Sequence, residues 1–188
     1  MNVIIRTGEE KFYHRVEQIT REVFFYPERI KPGGIDSPYE HWIVHKLRIE
    51  DGIKELCLVA ENDHQLIGHI ICNNARIEIS DKRIHVLNIG PISVLPQYQR
   101  QGVGKALIHS LIDKSRNMGY GAIMFFGRPE YYLKLGFIEA AKFGVTDCYG
   151  ENYPAFMAME LIEGYLDNVQ GGKYHESDIY DDAKMVSQ

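Results

Sequence analysis

Ile92-Ser93-Val94-Leu95-Pro96-Gln97-Tyr98-Gln99-Arg100-Gln101-Gly102-Val103-Gly104-Lys105 is the stretch on which the fold turns. It reads as the end of a strand, a proline-marked turn, a glycine-rich loop and the start of a helix. The helix is signalled by Val103, Leu107, Ile108, Leu111, Ile112 and Met118 on one face, by Lys114 and Arg116 in its last turn, and by Gly119 as a stop. The first amides of a helix have no intrahelical acceptor and sit at the positive end of its dipole, while glycine lets a ligand approach the backbone. The stretch therefore suits a phosphate group, with Arg100 and Lys105 adding local charge. Two nucleotide-binding patterns fail on spacing. The dinucleotide fingerprint requires glycine where Leu107 stands, and a P-loop requires Ser or Thr where Ala106 stands.

Upstream, Val3-Ile4-Ile5-Arg6 reads as a strand, and Phe12, Val16, Ile19, Val23 and Phe24 mark a helix between Glu9 and Phe25. Pro27, Pro32, Gly33 and Gly34 break the chain before a second helix, with Ser37 as its N-cap, Pro38 in its first turn, and Trp42, Ile43, Leu47 and Ile49 as its apolar residues. Leu56 to Ala60 and Leu66 to Cys72 flank a polar hairpin signal, and strand-like runs continue at Arg76 to Ile79 and Arg83 to Val94, the latter interrupted at Gly90-Pro91. Downstream, Ala122 to Phe126 reads as a strand, Pro129 opens a short helix that Gly136 ends, and Phe137-Ile138 and Ala155 to Leu161 close the series. The mixture of strands and helices places the chain in the α/β (α+β) class.

A second motif, Tyr131-Tyr132-Leu133-Lys134-Leu135-Gly136-Phe137, follows a strand downstream of the glycine-rich loop. With it the chain resembles the GNAT superfamily of acyl-CoA-dependent N-acetyltransferases. The signature Gln/Arg-x-x-Gly-x-Gly/Ala is met by Gln99-Arg100-Gln101-Gly102-Val103-Gly104, and Tyr-x-Lys-x-Gly-Phe by Tyr132 to Phe137. The resemblance runs from Asn2 to Leu161. It implies a twisted mixed sheet, mostly antiparallel and flanked by helices, whose fourth and fifth strands splay around the pantetheine arm of acetyl-CoA. By the same resemblance the backbone of Ile92, Ser93 and Val94 pairs with pantetheine, and the backbone of Gln99, Arg100, Gln101, Gly102, Val103, Gly104 and Lys105 holds the pyrophosphate. Tyr132 stands at the position of the general acid that protonates the departing thiolate.

The implied reaction is direct attack of a primary amine on the thioester, the acceptor being a small molecule or a peptide or protein amine; the other reading is a non-catalytic acyl-CoA-binding or sensor module. The chain departs from the family pattern where many members carry Glu or Asp on the fourth strand, because Gly90 and Pro91 stand there. Asn88 is no base, and Glu78, His85 and Asp36 serve only if the fold brings them to the site. The asparagine frequent after the fifth strand is replaced by Gly127-Arg128. Tyr26, Arg29, Asp36, Tyr39 and Trp42 are candidate lining residues for the acceptor.

The composition sets outer limits. The chain has 188 residues, 45% of them hydrophobic, and a net charge of −5, so a broad basic surface for nucleic acid is not expected. The apolar runs are too short to span a membrane, and the first ten residues lack a secretory pattern, which makes the cytoplasm the expected compartment. Cys57, Cys72 and Cys148 fit neither a disulfide framework nor a metal site and are expected as buried small side chains. Residues 1–162 are expected to form the acetyltransferase domain, alone or as a homodimer, and residues 163–188 an acidic C-terminal extension, with Glu163, Asp167, Glu176, Asp178, Asp181 and Asp182 against Lys173 and Lys184.

Overall fold

A computed structural model describes residues 2–25 and 39–186, the last four for their backbone alone. The sequence-predicted N-cap Ser37 with Pro38, and Tyr26, Arg29 and Asp36, lie outside the described residues. The elements run β1 (Val3–Thr7), α1 (Tyr13–Phe24), α2 (Glu40–Glu50), β2 (Leu58–Asn62), β3 (Gln65–Ile79), β4 (Lys82–Val94), α3 (Val103–Asn117), β5 (Ala122–Phe126), α4 (Pro129–Tyr132), β6 (Ile138–Glu139), β7 (Phe156–Glu160), β8 (Lys173–His175) and α5 (Ile179–Val186). The strands form one sheet of order β1-β2-β3-β4-β5-β7-β6, with β8 on β3. The β1–β2, β2–β3, β3–β8, β5–β7 and β6–β7 ladders are antiparallel, and the β4–β5 ladder is parallel. This is the mixed, mostly antiparallel sheet flanked by helices that the sequence implies.

The chain divides into two compact units. The first comprises Met1–Cys72, Gly90–Leu111 and Asp178–Gln188. Val16, Ile19 and Thr20 are buried on α1, and Ile43, Val44 and Leu47 on α2, each set at the spacing of one helical face. These apolar side chains pack with Val59, Leu66, Ile71, Leu95 and Ile179. The β2–β3 turn holds Asp63 and His64 at φ 47° and 64°, the left-handed pair that a two-residue hairpin demands.

The second unit comprises Asn73–Ile89 and Ile112–Ser177. Ala75, Ile77, Val86, Ala122, Met124, Phe156, Ala158, Leu166, Val169 and Tyr174 form its core. Along β5 the side chains alternate: Met124 belongs to this cluster, whereas Phe125 meets Tyr132 and Phe137 edge to face.

Several sequence expectations need correction. Arg76 to Ile79 is no separate strand but the continuation of β3, and β4 runs through Gly90-Pro91 without a break. Ile49 and Met118 are exposed. Ile49 faces away from the stripe set by Ile43 and Leu47, and Met118 lies past the end of α3. Of the cysteines Cys72 is buried, while Cys57 and Cys148 are only partly so. Beyond Leu161, where the sequence reading assigns no element, the chain forms β8 and α5 and contributes Leu166, Val169 and Tyr174 to one core and Ile179 to the other.

Candidate active site

The glycine-rich loop lies in the first unit and is shaped by two left-handed residues, Arg100 at φ 59° and Gly102 at φ 89°. A side chain at Gly102 would meet nothing within 4 Å, so the glycine answers the backbone angle and not crowding. The first backbone bond of α3 runs from the Ala106 N–H to the Gly102 carbonyl at 2.9 Å. The amides of Val103, Gly104 and Lys105 thus precede the helical ladder and are free of intrahelical acceptors, as an anion cradle requires. Val103 is buried and anchors the helix start, whereas Arg100, Gln101, Gly102 and Lys105 are exposed.

Two glutamines tie this loop down, a role that their spacing did not reveal. Gln99 Nε2 donates to the Val94 carbonyl at 2.9 Å, and Gln101 Nε2 to the Gln97 carbonyl at 2.7 Å. The Leu95 N–H donates to the Ile67 carbonyl on β3 at 2.9 Å. Because bonding direction alternates along a strand, Val94 then turns its N–H and C=O away from β3. Gly68 lies opposite, where a Cβ would stand 2.7 Å from the Ser93 carbonyl. Ile92 and Val94 are half-buried; Ser93 is buried, and its Oγ has no partner. The Val94 carbonyl is engaged by Gln99, and the Val94 N–H lies on the side of the strand turned away from β3.

The place of the missing strand carboxylate is filled. A Cβ on Gly90 would stand 2.9 Å from both Ile71 Cγ2 and the Tyr180 hydroxyl, and 3.0 Å from Leu47 Cδ1. An acidic side chain has no room there. The other carboxylate and imidazole considered lie in the second unit, on β3 and β4. Glu78 is half-buried and held by Arg76 (2.8 Å), Arg83 (3.3 Å) and His175 (3.5 Å), and the Arg76 hydrogen bond chiefly draws its carboxyl below the usual range. His85 is exposed, with its backbone carbonyl accepting from the Tyr165 hydroxyl.

In the second unit α4 separates its two tyrosines. Tyr131 is exposed and Tyr132 buried. The Tyr132 ring stacks edge to face on Phe125 at 4.6 Å and on Phe137 at 5.7 Å. It passes over Gly127, where a Cβ would come within 2.4 Å of Tyr132 Cε2. The glycine after β5 is therefore what lets this ring sit against the strand. Burial pushes the Tyr132 phenol well above its ordinary value, with Tyr131 adding to the rise and Arg128 opposing it. Arg128 and Lys134 are exposed; the Arg128 carbonyl accepts the amides of Tyr131 and Tyr132, each at 3.1 Å.

Sequence reasoning also missed a buried polar chain in this unit. The Asn88 amide donates to Asn73 Oδ1 at 2.9 Å, and the Tyr174 hydroxyl lies 3.0 Å from both Asn88 Oδ1 and the Met124 carbonyl. Only the odd excess of asparagine in otherwise apolar strands hinted at it. Tyr39 and Trp42 pack on the core of the first unit. Among the described residues no three His, Cys, Asp or Glu side chains gather to hold a metal, and no helix is long and apolar enough to cross a membrane.

Comparison with known proteins gives these features a context. A family model described as the acetyltransferase (GNAT) domain matches residues 4–140. The uncharacterized N-acetyltransferase YhbS of Escherichia coli (strain K12) is 30% identical over 143 residues, covering 75% of this chain and 84% of that one. Among solved structures, YhbS from Escherichia coli in complex with CoA superposes with a TM-score of 0.79 at 22% identity, covering 96% of this chain and 93% of the other. A GNAT family acetyltransferase from Brucella melitensis in complex with acetyl-CoA does so at 0.70 and 26% identity, covering 96% and 99%.

Proposed function

Because the chain belongs to the acetyltransferase (GNAT) domain family, we propose that it transfers the acetyl group of acetyl-CoA to a primary amine of a small molecule or a peptide. The observation that carries the reading is the loop at the head of α3. Two left-handed residues there present the amides of Val103, Gly104 and Lys105 as a cradle, with Arg100 and Lys105 beside it. Such a cradle suits the pyrophosphate of CoA, as helix N-termini suit anions in general. In this reading Gln99 to Lys105 hold the pyrophosphate, and the backbone of Ile92 to Val94 receives the pantetheine arm. The solved relatives bound to CoA and acetyl-CoA support the same cosubstrate.

The chemistry asked of the protein is modest. A neutral amine attacks the thioester carbon, the C–N bond forms, electrons collect on the carbonyl oxygen, and the C–S bond breaks as they return; the nitrogen sheds one proton to solvent, the sulfur gains one from Tyr132, and solvent restores the phenol. A preorganised donor at the oxygen lowers that barrier, and the Val94 N–H, turned away from β3, is assigned this task. Tyr132 is assigned to the departing sulfur. Its raised phenol keeps its proton through the neutral range, so it enters as an acid and not as a base. The free thiol titrates near 8.5, so the thiolate would otherwise leave largely unprotonated at alkaline pH. With Gly90 in place of a strand carboxylate, the ammonium proton of the acceptor passes to solvent.

A CoA-binding module without transfer is the second reading, favoured by the side chains that fill the space over Gly90. A thiol-release assay over a panel of primary amines separates the two. Turnover with at least one amine, cut by about 10²-fold or more in Tyr132→Phe with CoA affinity unchanged, is the expected result. Full turnover in that variant rejects the acid assignment, and CoA binding with no turnover on any amine favours the binding module.

A further inference from the structure

The parallel ladder between β4 and β5 is registered at a single pair, Leu87↔Ile123. The next pair that such a ladder would form, Ile89↔Phe125, is not made among the described residues. The Met124 carbonyl, which that pair would engage, bonds elsewhere. β5 bonds β7 through its odd-numbered positions, as the Leu161 N–H to Gly121 carbonyl and Gly127 N–H to Ala155 carbonyl bonds at either end show. The Met124 carbonyl therefore faces β4. There it meets the Tyr174 hydroxyl at 3.0 Å, and the same hydroxyl lies 3.0 Å from Asn88 Oδ1 on β4.

One phenolic oxygen thus bridges the two strands one step past their last registered pair. Its carrier is well braced. Tyr174 sits in the middle of β8, whose register on β3 pairs Ile77 with Tyr174. Its ring packs at 5.0 Å from Phe156, with Phe126 at 6.3 Å, and the residue is 2% exposed. Asn88 is in turn fixed by its amide bond to Asn73 on β3. A buried carbonyl is costly without a donor, and the one proton of a hydroxyl brought in by the C-terminal segment is shared between the Met124 carbonyl and Asn88 Oδ1.

We propose that Tyr174 is a positioning residue that wedges β4 from β5, holding the two strands unzipped where the pantetheine arm of acyl-CoA enters. The inference rests on the reading of the chain as a CoA-dependent transferase, and it gives the segment after Leu161 a part in cofactor binding. The wedge touches no reacting atom; it acts through the spacing of two backbones. Since the ring alone fills space, its hydroxyl is the group that keeps the Met124 carbonyl from taking a β4 amide.

Calorimetric titration of CoA into the full-length protein and into Tyr174→Phe tests this, with thermal unfolding of both. His175→Ala serves as a control that loosens β8 at its Glu78 contact without touching the wedge. The expected result is CoA binding about tenfold weaker in Tyr174→Phe, the worth of one buried hydrogen bond, and near wild type in His175→Ala. In turnover assays KM for acetyl-CoA rises by the same factor while kcat changes less. Equal CoA affinity in Tyr174→Phe and wild type overturns the wedge, as does an equal loss in His175→Ala, which would mark a general loosening. Failure of the wild type itself to bind CoA overturns the underlying functional reading instead.

Discussion

Burial holds the His69 imidazole neutral down to about pH 3, helped by the nearby Arg48 charge. Its Nε2 lies 2.6 Å from Thr20 Oγ1, and the Thr20 hydroxyl donates to the Val16 carbonyl at 2.8 Å. Thr20 has one hydrogen to give, so Nε2 carries the ring proton and donates to Thr20. Such a group fixes the sign of a pH effect. An unfolded chain binds a proton near the ordinary value of 6.5 that the folded protein refuses until about 3, so the stability it contributes is complete above 6.5 and drains away as pH falls. Urea unfolding between pH 7 and 4 should show a midpoint that falls with acid, and His69→Gln should show a shallower fall. Equal slopes would mean that other groups govern acid lability. In the sequence His69 is one histidine among eight, and nothing local distinguishes a buried one. Its strand position next to Ile67, Ile70 and Ile71 was the available cue.

At the scale of the element, the loop before α3 is where motif and physics agree most closely. The signature named the residues, the structure supplies the reason for the glycine at φ 89°, and it shows, as the signature did not, that Arg100 also takes a left-handed angle. A non-glycine residue held so costs about 1–2 kcal/mol, a strain commonly kept where a ligand is bound. Arg100→Gly should therefore raise the unfolding free energy by up to about 1 kcal/mol while weakening CoA binding several-fold. Stability and affinity moving in the same direction would show that Arg100 is an ordinary surface side chain. The short α4 was likewise legible, because Pro129 and Gly136 bound it. The motif spacing to Gly136-Phe137 singled out Tyr132 of its two tyrosines, whereas its packing on Gly127 and Phe125 carries no motif.

For the whole molecule, most strands and helices followed from periodicity and the mixed sheet from the family resemblance, whereas the elements beyond Leu161 did not. Its three-residue strand β8 is too short to register as a hydrophobic pattern, and its acidic residues marked it only as an extension. Yet Leu166, Val169, Tyr174 and Ile179 are all buried. An apolar side chain of this size contributes about 1.5–3 kcal/mol on burial, so removing the set would consume most of a typical stability of about 5–15 kcal/mol. Truncation after Ile162 should give a chain without a cooperative thermal transition; a shortened protein that melts as the full one does would make the segment dispensable. The order in which the chain supplies its parts has a consequence for how it is made. Each compact unit draws on separated stretches, and the first needs Asp178–Gln188 as well as Met1–Cys72. A ribosome that has synthesised the opening strands and helices has therefore not yet delivered Ile179 to their core. The core of the first unit is completed only once Ile179 has emerged, long after the helices and strands it packs against.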